Sequence, residues 1–332
     1  MILKSSHQPV YREVLSQALR TAWYDRRYWI LSLLAGILVS ASAYDAMARS
    51  IRAVSLQSSL LNLGMGKVIL QTLILNAQKS ETIFALVSGV EILLLVALLA
   101  LFIIGLSCIA QGGLIFALGA RMRGKYPKLR EAFHVGAGSF WPIVTLNLLA
   151  CGGLCLARFL TSLPLNWALD QTRLTAYLVY IGSFLIFLPI VFLIAVVQIF
   201  ALNAVVLHGA PLSAAIGRAC ALFTKNWVVT IETAVLQTLL SIGIWILYII
   251  IYLFLMIPVI VFFLAAAIIQ SNALFMCSLA IGTAVFFAGL VLTGAFTIQL
   301  QYATWIHLYR KLGEGGIVPK LHRLVQSITG FF

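Results

Sequence analysis

Two carboxylates inside long apolar segments are the residues of this sequence best suited to chemistry. Glu91 lies in SGVEILLLV and Glu232 lies in VVTIETAVLQ. A carboxylate within a lipid bilayer is costly, so it faces a partner or a wet cavity, or it takes up a proton. The pattern indicates either a proton or cation site of a transporter or a polar residue that locks helices together.

Arg158 favours the second interpretation. It lies near the outer end of its own apolar segment, at about the height of Glu91, so an ion pair between them is expected. Glu232 lies five residues beyond Trp227, close enough to the inner side to reach a headgroup or a lysine. Because the two acids lie at opposite depths, they do not form one site, and we expect structural roles for all three charged residues.

The other reactive residues have no catalytic or metal-binding pattern. The five histidines are scattered, and no two have H-x-x-x-H spacing. The five cysteines are an odd number without a histidine at metal-ligand spacing, so small reduced side chains are expected. The sequence predicts a protein that is not an enzyme, without catalytic, cofactor-binding or metal-binding residues and without a cofactor. An intramembrane enzyme is the weaker alternative.

The composition assigns the chain to a membrane. Its 332 residues are 62% hydrophobic and 9% charged, unlike those of a soluble domain. Uncharged stretches recur that are long enough to cross a bilayer as helices, which satisfy their own backbone hydrogen bonds. A net charge of +13 would indicate nucleic acid for a soluble protein, but the asymmetry of membrane loops explains it better here. Nucleic acid is therefore not an expected partner.

The positive charges alternate along the chain. Segments 1–27, 121–139, 208–226 and 309–332 hold 5, 5, 2 and 4 of the 22 Lys and Arg residues. Since these are alternate loops, the positive-inside rule places them together on the cytoplasmic side. We expect a multi-pass protein of the plasma membrane, the inner membrane of a bacterium, with anionic lipids of the cytoplasmic leaflet as partners. The expected lipid contacts are Arg121, Arg123, Lys125, Lys128, Arg130, Lys320 and Arg323.

One short motif occurs three times, each time before a long apolar run. The copies are LSQALRTAWYDRRYW, LREAFHVGAGSFW and LSAAIGRACALFTKNW, and each has an alanine at its fourth position and a tryptophan at its end. At helical spacing each copy has one apolar face, which predicts a short helix on the membrane surface with its tryptophan among the headgroups. The face residues are Leu15, Ala18, Leu19 and Ala22; Leu129, Ala132, Phe133 and Gly136; and Leu212, Ala215, Ile216 and Ala219.

Each copy of the motif begins a larger unit. It precedes a transmembrane run, an outer connection and a second long run. The sequence predicts an all-α integral membrane protein with six transmembrane helices, built as three repeats of an amphipathic surface helix plus two spans, with both termini inside. The repeat units are approximately 10–120, 128–207 and 212–309 in a single membrane domain, 1–332.

Small and amide residues recur in the long runs. A glutamine precedes a basic or histidine residue by ten positions near the inner end of each second run, at Gln111, Gln198 and Gln301. Small residues indicate close helix contacts in a bilayer, with the lining of a substrate channel as the alternative. They are Gly112, Gly113, Gly152, Gly153, Ala284 and Ala288.

Two segments leave alternatives open. Residues 248–270 are long enough for a seventh span, but the absence of a turn before them and the basic residues after Tyr309 favour a broken or re-entrant segment bent at Pro258. The tail, 317–332, has one apolar and one basic side, which predicts a basic amphipathic C-terminal helix on an anionic leaflet. A groove of a membrane-protein partner would recognise the same pattern, so such a partner is the alternative.

Three stretches, LREAFHVGAGSFW, PLSAAIGRACALFTKNW and TIQLQYATWIHLYRKL, carry a resemblance that extends over nearly the whole chain. The arrangement resembles the membrane domain of glycerophosphoryl diester phosphodiesterases and stand-alone six-helix bacterial proteins of the YciC type. We find no room for the soluble catalytic barrel of that enzyme, so its activity does not carry over. The resemblance implies a membrane scaffold or lipid-associated accessory module. The alternative function is a small-solute or lipid transporter or permease that uses Glu91 or Glu232.

Overall fold

The computed structural model describes residues 10–37, 83–168 and 173–314. In these ranges the chain is helical apart from short links and contains no β-strand. Five helices are long and apolar enough to cross a membrane, which confirms the prediction of an all-α, multi-pass membrane protein. They contain the stretches Glu91–Arg121, Phe140–Thr161, Ile181–His208, Trp227–Ile269 and Asn272–Glu314.

Short helices form at the three copies of the motif, and long helices follow them. We number the helices α1 to α9 in chain order, with a 3-10 turn at Arg26–Tyr28 between the first two. The bounds are α1 Val10–Tyr24, α2 29–37, α3 Ile83–Arg121, α4 Leu129–Gly138, α5 Phe140–Ala168, α6 Arg173–His208, α7 Leu212–Lys225, α8 Trp227–Ile269 and α9 Asn272–Glu314.

Two compact units divide the chain. The larger comprises Met1–Gly36 and Ile109–Phe332, and the smaller comprises Ile37–Cys108. In the smaller unit the structure describes the first part of α3, whose large apolar side chains from Ile92 to Ile104 are exposed. Such a surface is suited to contact with lipid chains.

The core of the larger unit lies where α3, α6 and α9 end. We call these three segments, 109–121, 196–208 and 295–312, the packed end. Its aromatic side chains interlock, because the ring centroid of Phe200 lies 6.0 Å from that of Trp305. Outside the packed end, most large apolar side chains of α6, α8 and α9 are exposed. Protein contacts therefore hold the packed end, and the rest of the long helices presents the apolar surface that a bilayer would cover.

Each short helix packs against the end of a long one. α4 contacts α3 and α7 contacts α6, the helix before each in the chain, whereas α1 packs against the last helix, α9. Small side chains four positions apart are buried in each of these contacts, and this spacing lets two helix backbones approach closely. The buried small residues are Ala18 and Ala22, Ala132 and Gly136, and Ala215 and Ala219.

A glycine lets the chain turn back between α6 and α7. Gly209 follows the last residue of α6 and has a φ of 62°, a left-handed conformation that costs glycine little. Its N–H donates to the carbonyl of Val205 at 2.9 Å, which ends the helix in a hydrogen-bonded turn. α7 can therefore begin after three residues and fold onto the helix that it has just left.

The prediction of a broken or re-entrant segment at 248–270 is wrong. These residues continue α8, which is one helix from Trp227 to Ile269 with Pro258 inside it. α9 packs along α8, and the hydroxyl of Tyr248 donates to the carbonyl of Phe286 at 3.0 Å. A proline is tolerated in such a helix because neighbouring groups satisfy the freed carbonyl.

The predicted close contacts of small residues are only partly confirmed. A Cβ atom on Gly113 would lie 2.8 Å from the carbonyl oxygen of Ala132, and one on Gly112 would lie 3.1 Å from the Cα atom of Gly136. These two glycines therefore lie where α3 and α4 touch. The prediction is wrong for three others, which lie on open surfaces of the described residues: Gly152, Ala284 and Ala288.

Candidate functional site

A chain of four hydrogen-bonded side chains joins four helices in the larger unit. Gln198 of α6 donates to the Oδ1 atom of Asn147 at 2.7 Å. Asn147 of α5 donates to the Oε1 atom of Gln111 at 2.8 Å, and Gln111 of α3 donates to the hydroxyl of Tyr302 of α9 at 2.8 Å. Amides do not transfer protons near neutral pH, so the three amide side chains are suited to orienting the helices and not to acid–base chemistry.

A second polar cluster ties α1 to α9. The Gln299 side chain is fully buried, donates to the carbonyls of Asp25 at 3.2 Å and Thr21 at 3.4 Å, and accepts from the hydroxyl of Ser32 at 3.3 Å. Both carbonyls also accept backbone N–H groups, that of Thr21 from Asp25 and that of Asp25 from Tyr28, so Gln299 adds a second donor to each where α1 ends. The glutamine singled out by spacing, Gln301, is only half-buried.

The charge pair nearest this cluster is formed by Asp25 and Arg121. The guanidinium Nε of Arg121 donates to the carboxylate of Asp25 at 2.8 Å, and the two side chains are 26% and 3% exposed. The guanidinium also lies over the ring of Tyr126, 3.9 Å from its centroid. Arg121, which we expected at the lipid surface, is thus held mainly by groups of the protein.

A charged cavity of about 650 Å³, which we call the basic cavity, adjoins this ion pair. It lies between α1 and the ends of α3 and α9. Four of its lining side chains are positive, and two are negative, at Glu13 and Glu314. The amine of Lys311 donates to Glu13, and Arg310 pairs with Glu314 at 3.1 Å. The remaining positive residues are Arg121, already paired, and Arg20, which pairs with no carboxylate among the described residues.

His307 lines the same cavity and is 9% exposed. Its Nε2 atom has no hydrogen-bond partner among the described residues. Buried polar atoms without partners are rare in folded proteins, so an unpaired nitrogen beside a cavity indicates a place for water or a polar ligand group. His307 and Arg20 give the basic cavity two hydrogen-bonding groups that no carboxylate occupies.

The pKa of Glu13 gives a first test of the cavity's charges. The hydrogen bond from Lys311 lowers this pKa, although partial burial opposes it. A lowered pKa in the folded state contributes stability above the ordinary value of 4.5, and this contribution is lost as the pH falls through the folded pKa. We expect a loss of at most about 1 kcal/mol in the free energy of unfolding, because the pair is partly exposed.

Thermal unfolding of the native chain and of Glu13→Gln at pH 7 and at pH 3 measures this contribution. The variant should lose less stability between the two pH values than the native chain does. Lys311→Met, which removes the donor to Glu13, should also lose less stability between the two pH values than the native chain does. Equal pH dependence for all three proteins would contradict the role given to Lys311.

The intramembrane charges singled out from the sequence lie on three different helices. Glu91 is exposed on α3 in the smaller unit, whereas Arg158 on α5 and Glu232 on α8 are half-buried in the larger unit. The ion pair between Glu91 and Arg158 stays a prediction. In the ranges 10–37, 83–168 and 173–314, no cluster of three metal-ligating side chains occurs. The five cysteines are free thiols.

The basic residues from just after α3 to the first turn of α4 are accessible. Arg123, Lys125, Lys128 and Arg130 are all exposed, as a lipid contact requires. The other two predicted contacts, Lys320 and Arg323, and the predicted C-terminal helix at 317–332 lie outside the described residues.

The sequence patterns did not single out five residues that the structure places in these clusters and in the basic cavity: Asp25, Asn147, Gln299, Arg20 and His307. The amides had a usable signal, because Asn147 in WPIVTLNLLA and Gln299 in TGAFTIQLQ interrupt apolar stretches. A neutral amide in such a stretch indicates a polar contact as a carboxylate does, because it also needs a hydrogen-bond partner in the membrane. No comparable signal marked Arg20, which is one of many basic residues.

The chain has no match among known proteins that would name its family. No protein-family model matches it, and neither a curated protein nor a solved structure does. The resemblance drawn from its motifs therefore stays a prediction, and the residues described above are the basis for a function.

Proposed function

We propose that this protein is a non-enzymatic membrane scaffold or lipid-associated accessory module of the plasma membrane, the inner membrane of a bacterium. The distribution of charge in the larger unit supports this proposal. Arginine and lysine side chains gather around the packed end, whereas the rest of the long helices exposes apolar side chains. A bilayer would cover the apolar part and place the charged end among anionic headgroups of the cytoplasmic leaflet.

The proposed topology has six transmembrane helices in three repeats, each with an amphipathic surface helix and two spans, and both termini inside. The contacts of the short helices support this arrangement. α4 lies on α3, α7 on α6 and α1 on α9, so three equivalent contacts occur in order and the last one joins the two ends of the chain. A ring of three units explains why one motif occurs three times. The likeness to the phosphodiesterase membrane domain agrees with such a module.

Anionic lipids are the proposed partners of the exposed basic residues. Arg123, Lys125, Lys128 and Arg130 lie on one short stretch that runs from just after α3 into the first turn of α4. Each basic residue near an anionic surface contributes about 1 kcal/mol of attraction. Lys320 and Arg323 would add to this in the tail, and a membrane-protein partner would bind at the same charged end.

Native mass spectrometry of the protein, released gently from its own membrane, tests the proposal. We expect retained anionic lipid or a stoichiometric protein partner. Replacing Arg123, Lys125, Lys128 and Arg130 together by glutamine should lower the ratio of retained anionic to zwitterionic lipid several-fold, because the attraction of each charge is lost. The free energy of unfolding should change little, since these side chains are exposed.

A protein without bound lipid or partner would contradict the scaffold proposal, and so would a variant with an unchanged lipid ratio. A different experimental result would favour the alternative function, a transporter. A bare protein that binds and transports a small polar solute, and loses this flux in Glu91→Gln or Glu232→Gln while it stays folded, would make a transporter the better proposal. A scaffold predicts that these two variants change stability without affecting any flux.

A further inference from the structure

An apolar groove of about 700 Å³ lies on the other side of α1 from the basic cavity. α1, α8 and α9 form its walls, and its lining is almost entirely apolar and rich in aromatic rings. The volume is within the range of sites that bind small molecules. Rings prominent in this apolar groove are Trp23, Trp29, Tyr248, Tyr252 and Phe296.

The apolar groove and the basic cavity meet at α1. Arg20 and Tyr24 line both of them, and both side chains are exposed. α9 runs past both, from Phe296 at the groove to His307 at the cavity, a rise of about 16 Å along the helix. A single molecule with a charged head and an apolar chain could therefore occupy both at once, with the head beside Arg20.

The charges that line the basic cavity determine which kind of headgroup it can bind. Two of the positive side chains of the basic cavity, Arg310 and Lys311, are balanced by carboxylates across ion pairs. Arg121 is balanced by Asp25. Among the described residues, the guanidinium of Arg20 pairs with no carboxylate, and the Nε2 atom of His307, which has no hydrogen-bond partner there, lines the same cavity. The cavity is thus complementary to an anion that accepts hydrogen bonds, as a phosphodiester does.

We infer that the basic cavity and the apolar groove together bind one anionic phospholipid of the cytoplasmic leaflet. Its phosphate would lie at Arg20, and an acyl chain would lie in the groove between α8 and α9. The inference rests on the proposed function, which places this end of the protein at that leaflet. It adds a specific site to the general attraction of the exposed basic residues.

Titration of the detergent-solubilised full chain with phosphatidylglycerol and with phosphatidylcholine of the same acyl chains, followed by native mass spectrometry, tests the site. Arg20→Gln should weaken the first phosphatidylglycerol by about tenfold, as expected for one lost charge-assisted hydrogen bond. Arg218→Gln is the matched control, because Arg218 is an exposed charge on another short helix, α7, and lines neither the cavity nor the groove. It should leave this first affinity unchanged.

A second pair of variants tests whether the lipid occupies the apolar groove. Leu255→Trp fills the groove from α8 and should also weaken the first phosphatidylglycerol. Leu253→Trp places the same ring on the same helix outside the groove lining and should not. The replaced leucines are 53% and 61% exposed, so both variants should fold.

Three results would overturn the inference. Equal losses in Arg20→Gln and Arg218→Gln would mean that surface charge alone attracts the lipid, which leaves the proposed function intact but removes the site. Displacement of the lipid by glycerol 3-phosphate would mean that the cavity binds a soluble anion. Equal binding of phosphatidylcholine and phosphatidylglycerol by the native chain would count against the site and the proposed function together.

Discussion

Replacing Arg121 by methionine is expected to lower the free energy of unfolding by about 3 kcal/mol. Removing one partner of a buried ion pair leaves a charge without compensation, which typically costs about 3–5 kcal/mol. Here the carboxylate of Asp25 is 3% exposed, so water cannot replace the lost guanidinium. We expect the lower end of that range, because Arg121 itself is 26% exposed. Unfolding in mixed micelles with increasing denaturing detergent would measure the change.

Two further variants separate the ion pair from a general effect of charge. Arg123→Met removes an exposed arginine two residues away and should change the free energy of unfolding by less than about 0.5 kcal/mol. The double variant Asp25→Asn with Arg121→Met removes both charges, so it should be more stable than Arg121→Met alone. If the double variant is less stable than the native chain by the sum of the losses of Arg121→Met and Asp25→Asn measured alone, the two groups act independently and the ion pair is not what stabilises this end.

The sequence was sufficient for the parts of the fold that follow from local pattern. Composition and run length predict apolar membrane-crossing helices, and α3, α5, α6, α8 and α9 are confirmed as helices of that kind. The motif predicts short helices, which form at α1, α4 and α7. Their predicted apolar faces include the small residues that are buried. Periodicity works there because these helices have a polar side, so the contrast between faces can be read.

Long apolar helices give no such contrast, which is why their contacts were harder to predict. Lipid chains and protein interior are equally apolar, so the face of α9 that touches protein resembles the face that would touch lipid. Small residues were therefore an ambiguous guide, and Ala284 and Ala288 proved to be exposed. Pro258 was misleading for a related reason. A proline usually breaks or kinks the interior of a soluble helix, but it is tolerated in a membrane helix, and α8 continues through it.

The candidate site could not be predicted because its residues are distant in sequence. Arg121 pairs with Asp25 across 96 positions, and Gln299 bonds to Asp25 across 274. Nothing local to α1 indicates that the last helix of the chain will pack against it. The proposed arrangement of three repeats would supply such a rule, since a ring of three units brings the first short helix to the last long one.

Replacing Gly136 by alanine is expected to detach α4 from α3. A Cβ atom at this position would overlap the carbonyl oxygen of Ile109 and would lie 2.8 Å from the backbone nitrogen of Gly113. Both are backbone atoms, so neither can move aside as the end of a side chain could. We expect a loss of about 3 kcal/mol in the free energy of unfolding, despite the better intrinsic helix propensity of alanine.

Gly138 gives a matched control for this contact on the same helix. A Cβ atom there would have no neighbour within 4 Å, so Gly138→Ala should be neutral or should stabilise the protein by up to about 1 kcal/mol. Each variant adds one methyl group to α4, at positions two residues apart. Only the methyl group at position 136 would face α3. Equal stability for both would show that α4 does not pack on α3 in the membrane. A large difference would support the close contact of small residues that recurs at α1 and α7, because the same spacing of buried small residues occurs there.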